Sequence, residues 1–199
     1  MTVRDRDIEP YLPFIGVALG FSIALVTILL SFFKTELASD NPNIGYLKSS
    51  LLFLTVASFF WFQAYEWFVY AFRFDDNSDN PRKHNSFIVG SYFYYWAYVC
   101  LLLGLILMLR YFDLKEIRWF SVFYGGYTLC QLSIDFIEHV MEKSNMDRWD
   151  IMPILMFSAF VIVIYYISLL DLWILIGSFS SFIIIYIIKQ ASDQKSKKN

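Results

Sequence analysis

IRWFSVFYGGYTLCQLSIDFIEHVME, residues 117–142, is the stretch from which both the fold class and the candidate site follow. It is apolar enough for a membrane span, yet polar residues recur in it at steps of three and four positions. Such spacing places them on one face of a helix. They are Tyr124, Thr128, Gln131, Asp135, Glu138 and Glu142. Because polar groups are costly in hydrocarbon unless they meet protein or water, the stretch predicts a helix whose polar face points into a helix bundle.

The composition of the whole chain is typical of a helical membrane protein. Of its 199 residues, 58% are hydrophobic and 17% are charged. Several apolar runs approach about 20 residues, the length that an α-helix needs to cross the hydrocarbon core. The formal charge of −2 is spread over short segments, so no nucleic-acid-binding surface is expected. We expect an all-α, polytopic protein that forms one transmembrane domain over residues 1–199 and lies in the lipid bilayer of the cell membrane.

Hydropathy predicts six transmembrane helices. Their approximate bounds are residues 11–33, 49–72, 87–109, 117–141, 151–169 and 172–189. The last two depend on a break near Asp171, and one long bent helix is the alternative there. Residues 72–86, FRFDDNSDNPRKHNS, have the composition of a solvated, turn-rich loop. Residues 190–199 form a basic tail that we expect to be disordered.

The distribution of Lys and Arg predicts the orientation of the chain. With six spans, one side of the membrane carries eleven of these residues and the other side five. Basic residues favour the cytoplasmic side, so both termini are predicted to be cytoplasmic.

Two carboxylates are predicted to meet in the cytoplasmic half of the bundle. Glu66 and Asp135 each precede the cytoplasmic end of a span by about six residues, or about 9 Å along the helix axis. Glu66 shares a helix face with Gln63, Trp67 and Tyr70. Tyrosines of the third span reach a similar depth and can hydrogen-bond a carboxylate. The complete candidate set is Glu66, Asp135, Glu138, His139, Gln63, Gln131, Tyr94, Tyr95 and Tyr98.

This set of side chains suits proton or cation chemistry. Carboxylates that lie close together in low dielectric cannot all ionise, so one of them can exchange a proton near neutral pH, and His139 can relay it. The predicted function is to conduct, transport or sense a proton or cation. One alternative is an accessory or structural subunit of a larger membrane complex, or a homo-oligomer. Another is a membrane enzyme that uses the cluster on a lipid-soluble substrate, as acid and base or as a metal site.

The sequence does not predict a metal or identify a cofactor. Glu66, Asp135, Glu138 and His139 offer three carboxylates and one nitrogen, a hard ligand set. The chain has only two histidines, however, which rules out a three-histidine zinc site, and it lacks the paired Glu-x-x-His motif of di-iron bundles.

Two further features bear on packing. Cys100 and Cys130 fall within apolar spans and are expected to be buried free thiols. The pair Gly125 and Gly126 can permit a close contact between helices.

Overall fold

The computed structural model describes residues 5–37, 43–74 and 81–136, and short stretches between residues 173 and 184. All regular structure in residues 5–136 that it describes is helical, which confirms the all-α prediction for this part of the chain. The helices are α1 (Asp5–Ile8), α2 (Tyr11–Phe32), α3 (Lys34–Leu37), α4 (Ile44–Ala71), α5 (Pro81–Tyr111) and α6 (Lys115–Phe136).

Three of these helices are long and apolar enough to cross a membrane, which indicates a membrane protein. They are Tyr11–Phe32, Ile44–Ala71 and Arg82–Tyr111, and they correspond to the first three predicted spans. The described part of α6 is not among them, since its tyrosines, its glycine pair and its polar stripe lower its hydropathy. The predicted fifth span, residues 151–169, lies outside the described residues, and so does most of the sixth, residues 172–189.

Helices α4 and α5 form an antiparallel pair at the centre of the described structure. Along α4, Leu54 lies against Gly104, and Phe68 lies against Gly90. Between these contacts, the ring of Trp61 meets that of Tyr94 edge to face, with centroids 5.2 Å apart. Residue numbers rise along α4 as they fall along α5, so the two helices run in opposite directions.

Helix α2 packs mainly against α4, and helix α6 packs against α5. Tyr11 at the start of α2 lies 5.5 Å from Phe68, measured between ring centroids, and Leu29 near its end clusters with Leu47 and Leu54. Helix α2 therefore runs antiparallel to α4. On the other side, Val122 of α6 packs in one cluster with Leu102, Leu103 and Ile106 of α5. The order across the described bundle is thus α2, α4, α5, α6.

Small residues let these helices approach closely. A Cβ added at Gly104 would lie 2.7 Å from Leu54 Cγ, and the Ser50 hydroxyl donates to the Gly104 carbonyl at 2.7 Å. A Cβ at Gly125 would collide with the side chain of Leu102. The predicted close contact at the glycine pair of α6 is therefore confirmed for Gly125.

The start of α5 differs from the sequence prediction. We expected a solvated loop through residue 86, but the helix begins at Pro81, and Lys83 and Ser86 are buried within it. Proline suits the first turn of a helix because its fixed φ is helical and its missing N–H would have no partner there. The polar composition of residues 81–86 reflects contacts with other parts of the chain, since the Lys83 ammonium lies 2.8 Å from Asp5 Oδ1.

Candidate functional site

An open cavity of about 750 Å³ lies beside the C-terminal half of α4 and the first turns of α5. We call it the Glu66 cavity. Helix α4 contributes a wall that combines aromatic side chains with a carboxylate and an amide, and the ends of α4 and α5 contribute two arginines. The lining residues are Phe62, Gln63, Tyr65, Glu66, Trp67, Val69, Tyr70, Arg73, Arg82, Asn85 and Ser86.

Glu66 and Gln63 form the polar centre of this wall. The Gln63 side-chain amide donates to Glu66 Oε2 at 3.0 Å, as the i, i+3 spacing on a helix allows. Ala64 and Phe68 flank Glu66 in the sequence and are fully buried against the neighbouring helices. At 100° per residue, a helix that buries these two positions turns Glu66 away from α2 and α5, and its side chain is exposed in the described part of the chain.

Four aromatic residues line the same cavity as this carboxylate: Phe62, Tyr65, Trp67 and Tyr70. The rings of Trp67 and Tyr70 meet edge to face with centroids 6.1 Å apart, and Tyr70 meets Phe74 in the same way at 5.3 Å. The four residues of the predicted face, Gln63, Glu66, Trp67 and Tyr70, all line the cavity.

Two arginines also line the cavity. Arg73 lies two residues after the end of α4, and its guanidinium carbon lies 5.5 Å from the centroid of the Tyr70 ring. Arg82 is the second residue of α5, and its backbone carbonyl accepts a hydrogen bond from the Ser86 hydroxyl at 2.7 Å. Sequence reasoning used both arginines only to set the orientation. The available signal was the spacing of Arg73, which continues the face of Glu66 and Tyr70 by one further step of three residues.

The three candidate tyrosines of α5 lie elsewhere. Tyr94 packs within the contact of α2, α4 and α5, edge to face with Tyr11 at 5.3 Å and with Trp61. Tyr95 meets Trp96 and packs with the cluster that faces α6, and Tyr98 is hydrogen-bonded to Thr128 of α6. None of the three lines the Glu66 cavity. The structure therefore brings Glu66 together with Gln63 and places these tyrosines on other faces.

The remaining candidates lie outside the described side chains. This applies to Gln131 and Asp135, whose backbone belongs to α6, and to Glu138 and His139. The backbone still sets the level of residue 135 in the bundle. Thr128 lies beside Tyr98, so seven residues further along α6 correspond to seven residues back along α5, near residue 91. Gly90 lies against Phe68, which places residue 135 near the level of Glu66.

The remaining reactive groups are potential metal ligands and the two cysteine thiols. Within the described residues, no three His, Cys, Asp or Glu side chains are grouped so that they could hold a metal ion. Cys100 and Cys130 are free thiols. Cys100 is buried, as predicted, whereas Cys130 is partly buried.

Comparisons with known proteins identify no relative of this chain. The chain matches no protein-family model, no curated protein and no solved structure.

Proposed function

We propose that this protein conducts, transports or senses a proton or cation, with Glu66 as the ion-binding carboxylate. We place it in the cell membrane with six spans and both termini in the cytoplasm. The observation that carries the proposal is the exposed Glu66 and Gln63 pair in a wide cavity that extends to the ends of α4 and α5.

The depth of Glu66 along its helix argues for a functional role. Glu66 lies five residues before the last residue of α4, which is about 7.5 Å inside the end of the helix. A carboxylate at this depth is costly against lipid, so it needs water or protein around it. The cavity supplies room for water beside this carboxylate.

The chemistry of the wall favours a cation or a proton. Gln63 donates to one oxygen of the carboxylate and leaves the other available to a ligand. The faces of Trp67 and Tyr65 carry partial negative charge and attract cations that come within about 6 Å of the ring.

Asp135 is the proposed second carboxylate. Its position on α6 lies near the level of Glu66, and in the sequence Gln131, Glu138 and His139 stand three or four positions away from it. At this level Asp135 offers a second, separate carboxylate to a proton or cation, and His139 offers a group that can relay a proton.

Ion flux through reconstituted protein tests this function. We expect wild-type protein in liposomes to dissipate a pH or cation gradient, and Glu66→Gln and Asp135→Asn to lose most of that flux. Glu116→Gln is the matched control, since Glu116 is an exposed acid in the first turn of α6, at the opposite end of the bundle. Flux that is unchanged in both variants, or lost equally in the control, would contradict the proposal.

A second candidate function is an accessory subunit of a larger membrane complex. The observation that favours it is the exposure of Glu66 together with large apolar side chains of the same face, such as Phe59 and Phe62 at 58% and 47%. A partner chain could cover this face as well as the chain's own last spans. Molar-mass measurement of the purified protein separates the two: a stable monomer with flux excludes an obligate subunit.

A further inference from the structure

The Glu66 cavity is far larger than a proton or a bare metal ion. Its volume of about 750 Å³ falls in the range of about 300–1,000 Å³ that is usual for small-molecule sites. Mg²⁺ and Ca²⁺ take about six or more oxygen ligands. Glu66 is the one carboxylate among the described lining residues, and no three His, Cys, Asp or Glu side chains are grouped for a metal in the described part of the chain. The size and the chemistry of the cavity therefore favour a larger, organic cation.

Aromatic side chains form the part of the lining next to Glu66. Phe62 precedes Glu66 by four residues on α4, so it lies about 6 Å further from the end of the helix, on nearly the same face. Tyr65 and Trp67 are the sequence neighbours of Glu66, and both also line the cavity. Phe62 and Tyr65 are 47% and 42% exposed in the described structure. A ligand bound at the carboxylate therefore has exposed rings beside it.

A carboxylate beside aromatic rings is suited to an organic ammonium ion. Gln63 donates to Glu66 Oε2 at 3.0 Å, which holds the carboxylate on this wall and leaves Oε1 for the cation. Ring faces attract a cation within about 6 Å of the centroid, and aromatic sites for quaternary ammonium ions use this attraction. Arg73 shows that a ring of this lining can hold a cation, since its guanidinium carbon lies 5.5 Å from the centroid of Tyr70. The alkyl or aryl groups of an ammonium ion also match the apolar surface of the rings, whereas a hydrated inorganic ion does not.

The two arginines of the lining limit the charge of this ligand. Arg73 stands seven residues after Glu66, which is about 10 Å along the helix direction. Charges that water reaches are largely screened beyond about 10 Å at an ionic strength of about 0.1 M. One positive charge at Glu66 is therefore tolerated, whereas a second charge placed nearer to Arg73 or Arg82 would be repelled. The lining thus selects a monovalent cation over a dication.

We propose that the cation bound at Glu66 is a monovalent organic ammonium ion, with its nitrogen at the Glu66 carboxylate and its hydrocarbon part against Phe62, Tyr65 and Trp67. This inference rests on the proposed function, since it names the chemical class of the cation for the same site. An inorganic cation would use the carboxylate and leave most of the cavity to water. A neutral apolar ligand would use the rings and leave the carboxylate without a counter-charge.

Isothermal titration calorimetry of the purified full chain in detergent tests the proposal. Three probes are used: benzyltrimethylammonium, its uncharged isostere neopentylbenzene, and K⁺. Titrations into protein-free detergent are subtracted. We expect benzyltrimethylammonium to bind at least about tenfold more tightly than the other two probes. Glu66→Gln should weaken its binding by about tenfold or more, because the charged partner is lost. Trp67→Leu, which replaces the ring with an apolar side chain, should weaken it by about threefold to tenfold.

The controls separate this site from general binding and from misfolding. Glu116→Gln and Trp173→Leu are the matched variants, since both side chains are exposed and neither lines the cavity, and they should bind the probe as the wild type does. Arg73→Gln should not weaken binding of a cation, because it removes a positive charge and uncovers the face of Tyr70. An anionic ligand would show the opposite response. The circular dichroism and melting temperature of each variant verify its fold.

Three results would overturn the proposal: equal affinity for benzyltrimethylammonium and neopentylbenzene, equal affinity in the wild type and in folded Glu66→Gln, or weaker binding in Arg73→Gln. Its failure differs from a failure of the proposed function. If protons or K⁺ cross liposomes in a manner that depends on Glu66 while benzyltrimethylammonium does not bind, the proposed function stands and this inference fails. If benzyltrimethylammonium binds at Glu66 but no ion flux is found, this inference stands and conduction or transport fails.

Discussion

The ammonium of Lys83 lies 2.8 Å from Asp5 Oδ1, although the lysine side chain is only 2% exposed and the aspartate side chain is 42% exposed. The same ammonium donates to the Phe74 carbonyl at 3.3 Å. One buried cation therefore connects α1, the segment after α4 and the first turn of α5. All three lie at the end of the bundle that carries the Glu66 cavity, and α5 contributes Arg82, Asn85 and Ser86 to its lining.

The unequal burial of this pair predicts unequal effects of substitution. Asp5→Asn removes the carboxylate and leaves a buried ammonium, which should cost about 3 kcal/mol of unfolding free energy. Lys83→Met fills the same space with an apolar side chain and leaves an aspartate that water can reach, so its cost should stay within about 1 kcal/mol. Thermal unfolding in detergent measures both. Lys115→Met is the control, since its pair with Asp113 is 3.7 Å long and exposed, and it should not change the melting temperature.

The close contact between α4 and α5 can be tested by substitution of Gly104. In Gly104→Ala, the added Cβ would lie 2.7 Å from Leu54 Cγ and 3.3 Å from Leu54 N, so the helices must move apart and the Ser50 hydrogen bond must lengthen. We expect a loss of roughly 1–3 kcal/mol. Gly20→Ala is the matched variant in another helix, because no atom of the described residues lies within 4 Å of its added Cβ. It should be neutral or stabilising, and a loss as large as that of Gly104→Ala would contradict this account.

In the turn between α5 and α6, we expect the replacement of Asp113 by glycine to be stabilising. Its φ of 53° lies in the left-handed region, and the Leu114 N–H bonds to the Leu109 carbonyl at 3.0 Å. With the Asp113 N–H bonded to the Arg110 carbonyl, this is a Schellman motif, whose left-handed position favours glycine. Asp113→Gly should raise stability by up to about 1 kcal/mol, whereas Asp113→Ala should lower it. Equal melting temperatures for these two variants would argue against the turn.

Thiol labelling tests the access of water to Glu66 and the predicted orientation. In a background with Cys100→Ser and Cys130→Ser, Glu66→Cys should react with a membrane-impermeant maleimide added from the cytoplasmic side. Ala57→Cys should stay unreactive, since Ala57 is fully buried between helices of the same bundle. Labelling of Glu66→Cys only from the opposite side would reverse the assigned orientation. Absence of labelling from either side would show that water does not reach the carboxylate.

Hydropathy and helical periodicity, which are local properties, determined much of this architecture. They located the three helices that are long and apolar enough to cross a membrane, because the length of an apolar run reflects the thickness of the hydrocarbon core. They also placed Gln63, Glu66, Trp67 and Tyr70 on one face, because positions three and four residues apart share a face in any α-helix. The contact at Gly125 followed from its lack of a side chain.

Tertiary structure decided how each helix is rotated about its axis and which distant residues meet. The sequence predicted that Glu66 lies at the depth of the α5 tyrosines. The burial of Ala64 and Phe68, however, turns Glu66 away from them. Tyr94 packs against Trp61 instead, and Tyr98 is hydrogen-bonded to Thr128 of α6. Depth follows from counting residues, whereas rotation depends on which faces pack best against each neighbour. Lys83 and Asp5, 78 positions apart, become a buried pair for the same reason. The ends of α4 and α5 likewise bring Arg73 and Arg82 to one cavity only because these helices pack as an antiparallel pair.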